Sequence, residues 1–193
     1  MLGGKYDFKP DREDSGTLNK LHLTKKQRLC IWKWSLYALL MVALSLVQDV
    51  MCSRLTVRGT TTDLVPVGLI LVCLLSEVDS GAIFALVASV LFVLSGSAPG
   101  IYSIALLTAL GTISNIFRYS FLRKGFAATF LCGAVSLMLY AMLVFLIGVF
   151  LEKTTFDYFS HFLTTGLLNV AVVPVLYPIF LSVSKIGGQT WKD

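Results

Sequence analysis

The chain has 193 residues, of which 56% are hydrophobic and only 14% charged, with a formal net charge of +5 and a mean hydropathy of +0.79. Soluble domains carry about 25% charged residues, so this composition excludes an ordinary soluble domain and points to one small integral membrane domain. The positive excess gathers in the tails and one connection, which reads as membrane topology rather than nucleic-acid binding.

Residues 1–28 form a hydrophilic tail. Its first half mixes signs (Lys5, Asp7, Lys9, Asp11, Arg12, Glu13, Asp14) and its second half is basic (Lys20, Lys25, Lys26, Arg28). The first half reads as disordered. The basic half, with Trp32 and Trp34 just beyond, reads as an anchor at the membrane surface. The first apolar run is too long for the core of a signal peptide and no A-x-A-like site follows it, so it is expected to stay in the mature protein.

Six apolar segments follow, at about 30–50, 64–75, 81–94, 101–117, 127–150 and 159–183. Their non-alternating character excludes a β-barrel, and lipid leaves no partner for unpaired backbone groups. The expected fold is therefore all-α: a polytopic membrane protein with six transmembrane helices over 29–185, a cytoplasmic tail at 1–28 and a short one at 186–193. Segments two and three, at 12 and 14 residues, fall short of the about 20 that span a bilayer. Either their link dips into the membrane surface or protein shields them. Glu77 and Asp79 in that link belong at a water interface.

Lysine and arginine counts set the orientation. With the N-terminus in the cytoplasm, thirteen fall inside and only three (Arg54, Arg58, Lys153) outside, so both termini are expected in the cytoplasm. The turn Leu94-Ser95-Gly96-Ser97-Ala98-Pro99-Gly100-Ile101-Tyr102, punctuated by residues that break helices, then faces the outside.

Gly81, Ala85 and Ser89 recur at intervals of four, as do Gly125, Thr129 and Gly133. Small-residue stripes let helices approach closely, either within the bundle or against a partner. Asn115 and Asn169 need hydrogen-bond partners in lipid, so both should face the bundle. Pro174 and Pro178 each remove a backbone donor and should bend segment six. Catalytic signals are lacking. His22 and His161 stand apart from any cluster with metal-ligand spacing, and no G-x-S-x-G, P-loop or G-x-G-x-x-G occurs. Cys30, Cys52, Cys73 and Cys132 are unclustered and read as small buried apolar side chains. No enzymatic activity, metal or cofactor is implied.

Four stretches, in order, carry a resemblance: Asp63-Leu64-Val65-Pro66 leading into an apolar helix; Leu94 to Tyr102; Phe117-Arg118-Tyr119 to Arg123-Lys124; and Gly166-Leu167-Leu168-Asn169-Val170-Ala171-Val172-Val173-Pro174. Together they resemble the MreD family of bacterial rod-shape-determining membrane proteins, across most of residues 31–185. Phe92 stands where that family often has an acidic residue. The resemblance implies a non-enzymatic scaffold of the cell-wall elongation complex in the bacterial cytoplasmic membrane. Its partners would be an MreC-like protein and, through it, MreB and a RodA-like glycosyltransferase with its transpeptidase. It also implies a fold similar to the substrate-binding subunits of energy-coupling-factor (ECF) vitamin transporters. Such a subunit is the alternative, with Asn169, Tyr140, Tyr158 and Trp32 as pocket residues. For the scaffold, the candidate contact residues are Gly81, Ala85, Ser89, Ser95, Gly96, Pro99, Gly100, Tyr102, Gly125, Gly133, Asn169 and Pro174.

Overall fold

The computed structural model of the protein describes residues 25–52, 60, 62–121 and 125–186. The tail up to residue 24, the segment 187–193 and the charges Arg54, Arg58, Arg123 and Lys124 lie outside the described residues, and so do the expectations placed on them. Among the described residues the chain is all-helical. Six α-helices follow one another: α1 Lys25–Val47, α2 Leu64–Leu75, α3 Val78–Leu94, α4 Tyr102–Phe121, α5 Phe126–Phe150 and α6 Phe159–Ser184. A π-helical turn, Gln48–Cys52, continues α1, and a 3-10 turn, Phe156–Tyr158, leads into α6.

Among the described residues, three stretches are long and apolar enough to cross a membrane: Gln27–Val50, Phe126–Phe150 and Phe156–Ser184. Helices α2 and α3 are apolar but shorter. Helix α4 has 20 residues, but Ser103, Thr108, Thr112, Ser114 and Asn115 dilute its apolar character.

Helix α1 starts at Lys25, five residues before the expected apolar run, so that Lys25, Lys26 and Arg28 of the expected tail belong to its first turns, and two further boundaries shift. Helix α3 starts three residues early, at Val78, because extended Ser76 and Glu77 make the whole turn after α2 and Gly81 N–H already donates to Glu77 O at 2.8 Å. Helix α4 runs past Phe117 to Phe121 and takes Arg118 into its last turn, where a cation complements the helix dipole. Arg118 is buried there rather than displayed on a loop. Helix α6 is continuous through Pro174 and Pro178.

The arrangement is built around α2. All twelve of its residues are buried, and it touches each of the other five helices. Nothing in its sequence requires a polar environment, so the helix is sequestered by the surrounding five. Lipid is as apolar as leucine, so burial of α2 brings no hydrophobic gain over lipid. What favours it is close packing and satisfied polar groups.

The small residues make that packing possible. Gly81, Ala85 and Ser89 all face the interior. A Cβ on Gly81 would stand 3.4 Å from the backbone of Cys73 in α2, and one on Gly111 of α4 would stand 2.9 Å from Cys73 Sγ. Gly133 of α5 faces Leu74 of α2, 3.6 Å from its Cβ position. Gly81 and Gly133 therefore serve contact with α2, Ser89 meets Thr108 of α4 at 3.3 Å, and Gly125 is exposed at the start of α5 with open space around it. Aromatic rings close the outer helices: Tyr37 stacks on Phe180 at 6.1 Å, Trp34 meets Phe84 at 5.4 Å, and Phe145 meets Phe159 and Phe162, each at 5.3 Å. Cys73 and Cys132 are buried, as expected of small apolar side chains, whereas Cys30 is exposed on α1.

Gly81→Leu drives its side-chain branches into the α2 backbone and should lower stability by about 1–3 kcal/mol. Gly125→Leu meets nothing and should leave stability within about 0.5 kcal/mol. Thermal unfolding midpoints of the two variants in detergent check both expectations.

Candidate functional site

A helix leaves backbone N–H groups unpaired at its start and C=O groups unpaired at its end. For a spanning helix, water or headgroups take them. The twelve residues of α2 rise only about 18 Å, against a hydrocarbon layer of about 30 Å, and its terminal residues Leu64 and Leu75 are buried, with Glu77 just beyond exposed. The buried end groups must find partners within the protein.

At the N-terminal end the partners are amides from distant helices. Asn169 Oδ1 of α6 accepts from Asp63 N–H at 2.9 Å, and Gln48 Oε1 of the π-helical turn accepts from Val65 N–H at 3.0 Å. Pro66 carries no N–H, which removes a further donor. Asn169 lies ten residues into α6, so the start of α2 is recessed by about 15 Å along that helix. At the other end, Asn115 Nδ2 of α4 donates to Ser76 O at 3.2 Å, and Cys73 Sγ reaches Gly81 O at 3.5 Å. The buried amides expected at Asn115 and Asn169 thus have a shared role: each pins one end of α2.

Asp63 occupies the N-cap position of α2, yet its carboxylate makes no cap hydrogen bond. An aspartate here ordinarily accepts from the second or third helical N–H, but Gln48 and Pro66 leave it nothing to cap. It is half-buried, with no ion pair among the described residues. Tyr140 of α5 lies within electrostatic reach of Asp63 and beside Ser103 of α4. Tyr140 is 3% exposed and Ser103 fully buried, and neither hydroxyl completes a hydrogen bond of ordinary geometry.

The turn between α3 and α4 closes the same end. Gly96 takes the left-handed conformation at φ +76° and donates to Val93 O at 3.1 Å, a glycine-terminated helix end. Ser95 Oγ donates to Phe92 O at 2.8 Å. Ser97 Oγ donates to Asp49 Oδ1 at 3.1 Å, which ties the turn to the end of α1. Helix α4 then starts at Tyr102, with Ser103 N–H on Gly100 O at 3.0 Å.

The candidate contact residues therefore separate. Ser95, Gly96, Pro99, Gly125 and Pro174 are exposed, Gly100 and Tyr102 are half-buried, and Gly81, Ala85, Ser89, Gly133 and Asn169 face the interior. Of the residues cast as a pocket, Asn169 bonds the start of α2 and Tyr140 is buried, while Trp32 and Tyr158 are exposed. Sequence reasoning missed Gln48, near the end of the first apolar run, and Ser103, just after the turn between the third and fourth. A lone amide closing an apolar segment was the available signal for Gln48. Among the described residues no group of three His, Cys, Asp or Glu side chains could hold a metal ion. No family model, curated protein or solved structure matches the chain.

Removing either amide strands a buried donor, so Asn169→Leu and Gln48→Leu should each cost about 1–3 kcal/mol in the detergent unfolding midpoint.

Proposed function

We propose that this protein is an MreD-like, non-enzymatic scaffold of the bacterial cell-wall elongation complex. In this reading it lies in the cytoplasmic membrane with six transmembrane helices and both termini inside, and it holds an MreC-like partner through its outer surface. Through that partner it would engage MreB and a RodA-like glycosyltransferase with its transpeptidase. One observation carries the reading. Two of the four stretches behind the MreD resemblance, 106 residues apart in the chain, meet in a single hydrogen bond from Asp63 N–H to Asn169 Oδ1. A third stretch, the Leu94 to Tyr102 turn, closes the same end of α2 and carries Ser103 into place beside Tyr140. Chance matches in an apolar sequence have no reason to converge on one structural task.

The scaffold mode of action follows from where polarity is spent. The amides go to internal backbone groups, while α1, α3, α5 and α6 turn Leu39, Val42, Ile83, Val87, Leu139, Leu167 and Val175 outward. Helices with apolar outer faces act on neighbours by packing. The exposed turn residues Ser95 and Pro99 supply a rigid water-side contact, since Gly96 and the Ser97–Asp49 bond fix the turn's shape.

A second reading, the substrate-binding subunit of an ECF-type transporter, draws on the two inward-facing polar side chains Asn169 and Tyr140. A pull-down of the tagged chain from its native cells, with mass spectrometry of its partners, separates the two. Recovery of MreC-like or RodA-like wall proteins supports the scaffold. Recovery of ATPase and coupling subunits overturns it. In the scaffold reading, Pro99→Lys should cut partner recovery roughly tenfold, a loss of about 1.4 kcal/mol, with the unfolding midpoint unchanged.

A further inference from the structure

We propose that the groove between α5 and α6 is a binding site for one acyl chain of a membrane lipid. The groove encloses about 490 Å3, within the roughly 300–1,000 Å3 of small-ligand sites. Its lining is apolar throughout, so hydrogen bonding does not select what enters. Met138, Ala141, Phe162 and Val170 form a half-buried floor, and Met142 and Leu163 stand on its exposed rims. The two helices touch behind the floor, where a Cβ on Gly166 would stand 3.0 Å from Met138 Sδ and 3.3 Å from Ala141 Cβ. The groove is therefore closed at its bottom and open on the outer face of the bundle.

Its length selects the occupant. Along α5 it runs from Ala134 to Phe145 and along α6 from Phe159 to Val170, a rise of about 16 Å on either helix. A spanning partner helix needs about 30 Å of hydrocarbon depth, so half of such a helix would find no groove. One leaflet of the same layer is about 15 Å deep, and the groove matches it. Its position agrees. One end lies at the start of α6 and near the last turns of α5, and the other stops about halfway along both helices. A lipid with its headgroup level with the connection between α5 and α6 lays one chain along the groove to the bilayer centre.

The lining suits that chain. At the mouth Phe145 meets Phe156 at 6.1 Å and Phe159 and Phe162 each at 5.3 Å, which gives the groove an aromatic wall. Met138 and Met142 add unbranched thioether side chains, which adapt to irregular shapes. Left empty, the floor would forfeit dispersion contacts, and water does not fill a void without polar partners. The exposed residues of the connection, Glu152, Lys153 and Asp157, carry both signs, so the chain rather than the headgroup charge is recognised. The inference rests on neither functional reading above and needs only α5 and α6 in a bilayer.

The test is native mass spectrometry of the full chain, delipidated in detergent and titrated with palmitoyl-oleoyl phosphatidylglycerol or palmitoyl-oleoyl phosphatidylethanolamine. The wild type should take up one lipid ahead of any further adduct, with either headgroup. Met142→Trp and Leu163→Trp place an indole in the groove from exposed positions on two different helices. Each should cut the one-lipid adduct about tenfold, equivalent to about 1.4 kcal/mol, with the unfolding midpoint unchanged. Val175→Trp, also exposed on α6 but outside the groove, should keep the adduct. A wild type without a preferred one-lipid adduct overturns the proposal, as does an adduct that survives both rim substitutions or falls equally in Val175→Trp. An adduct with only one of the two lipids also overturns it, since the headgroup would then be what is recognised. A dimer of the chain that both rim substitutions dissociate would give the groove to a second copy and overturn it as well.

Discussion

The structure depends on satisfying the two ends of a helix that is too short to reach water at both of them. Membrane interiors tolerate helices because every backbone group inside them can be paired within the segment. Helix α2 breaks that economy at its termini, and three amides from three other parts of the chain repair it. Gln48 and Asn169 take the donors at its start, and Asn115 takes an acceptor at its end. Each bond fixes a depth as well as a contact. Helix α6 can slide no further than the reach of Asn169, α4 no further than that of Asn115, and α1 no further than that of Gln48. Apolar packing alone sets no such register, since one methyl-lined surface fits another at many offsets.

The same constraint accounts for the distribution of small residues. A helix enclosed on all sides needs its neighbours close, and Gly81, Ala85, Ser89, Gly111 and Gly133 line the faces turned towards α2 or its immediate surroundings. Their cost falls on the outer surface, where the large apolar side chains are displaced. A protein built in this way has an apolar core held in register by a few internal hydrogen bonds and an apolar exterior available to other membrane segments. The turn between α3 and α4 joins the two regimes: it is bound to α1 through Ser97 and Asp49 and still displays Ser95 and Pro99.

Much of this was legible in the sequence. Helical character followed from apolar runs without alternation, and the inward direction of Asn115 and Asn169 followed from the cost of an amide in lipid. The shortness of segment two was visible, and shielding by protein was one of the two explanations it allowed. What it shields against was not visible, because sequence spacing does not reveal which amide meets which backbone group 17 or 106 residues away. The stripes at Gly81 and Gly133 show the same limit. Periodicity marks a close-packed face, but a face on α2 and a face on another protein read identically. Arg118 misled for a different reason. A basic residue beside aromatics resembles a loop at the membrane surface, but nothing in 117–121 breaks a helix, and α4 continues through it.

Backbone amide hydrogen exchange at Asp63 and Val65 tests the central claim most directly. If Asn169 and Gln48 hold the start of α2, these two amides should exchange as slowly as those in the middle of the helix, and each should lose protection selectively when its own partner is replaced. Rapid exchange of both amides in the wild-type protein, alongside protected amides from Val67 onward, would mean that the end of α2 is open and that the amides do not organise the fold.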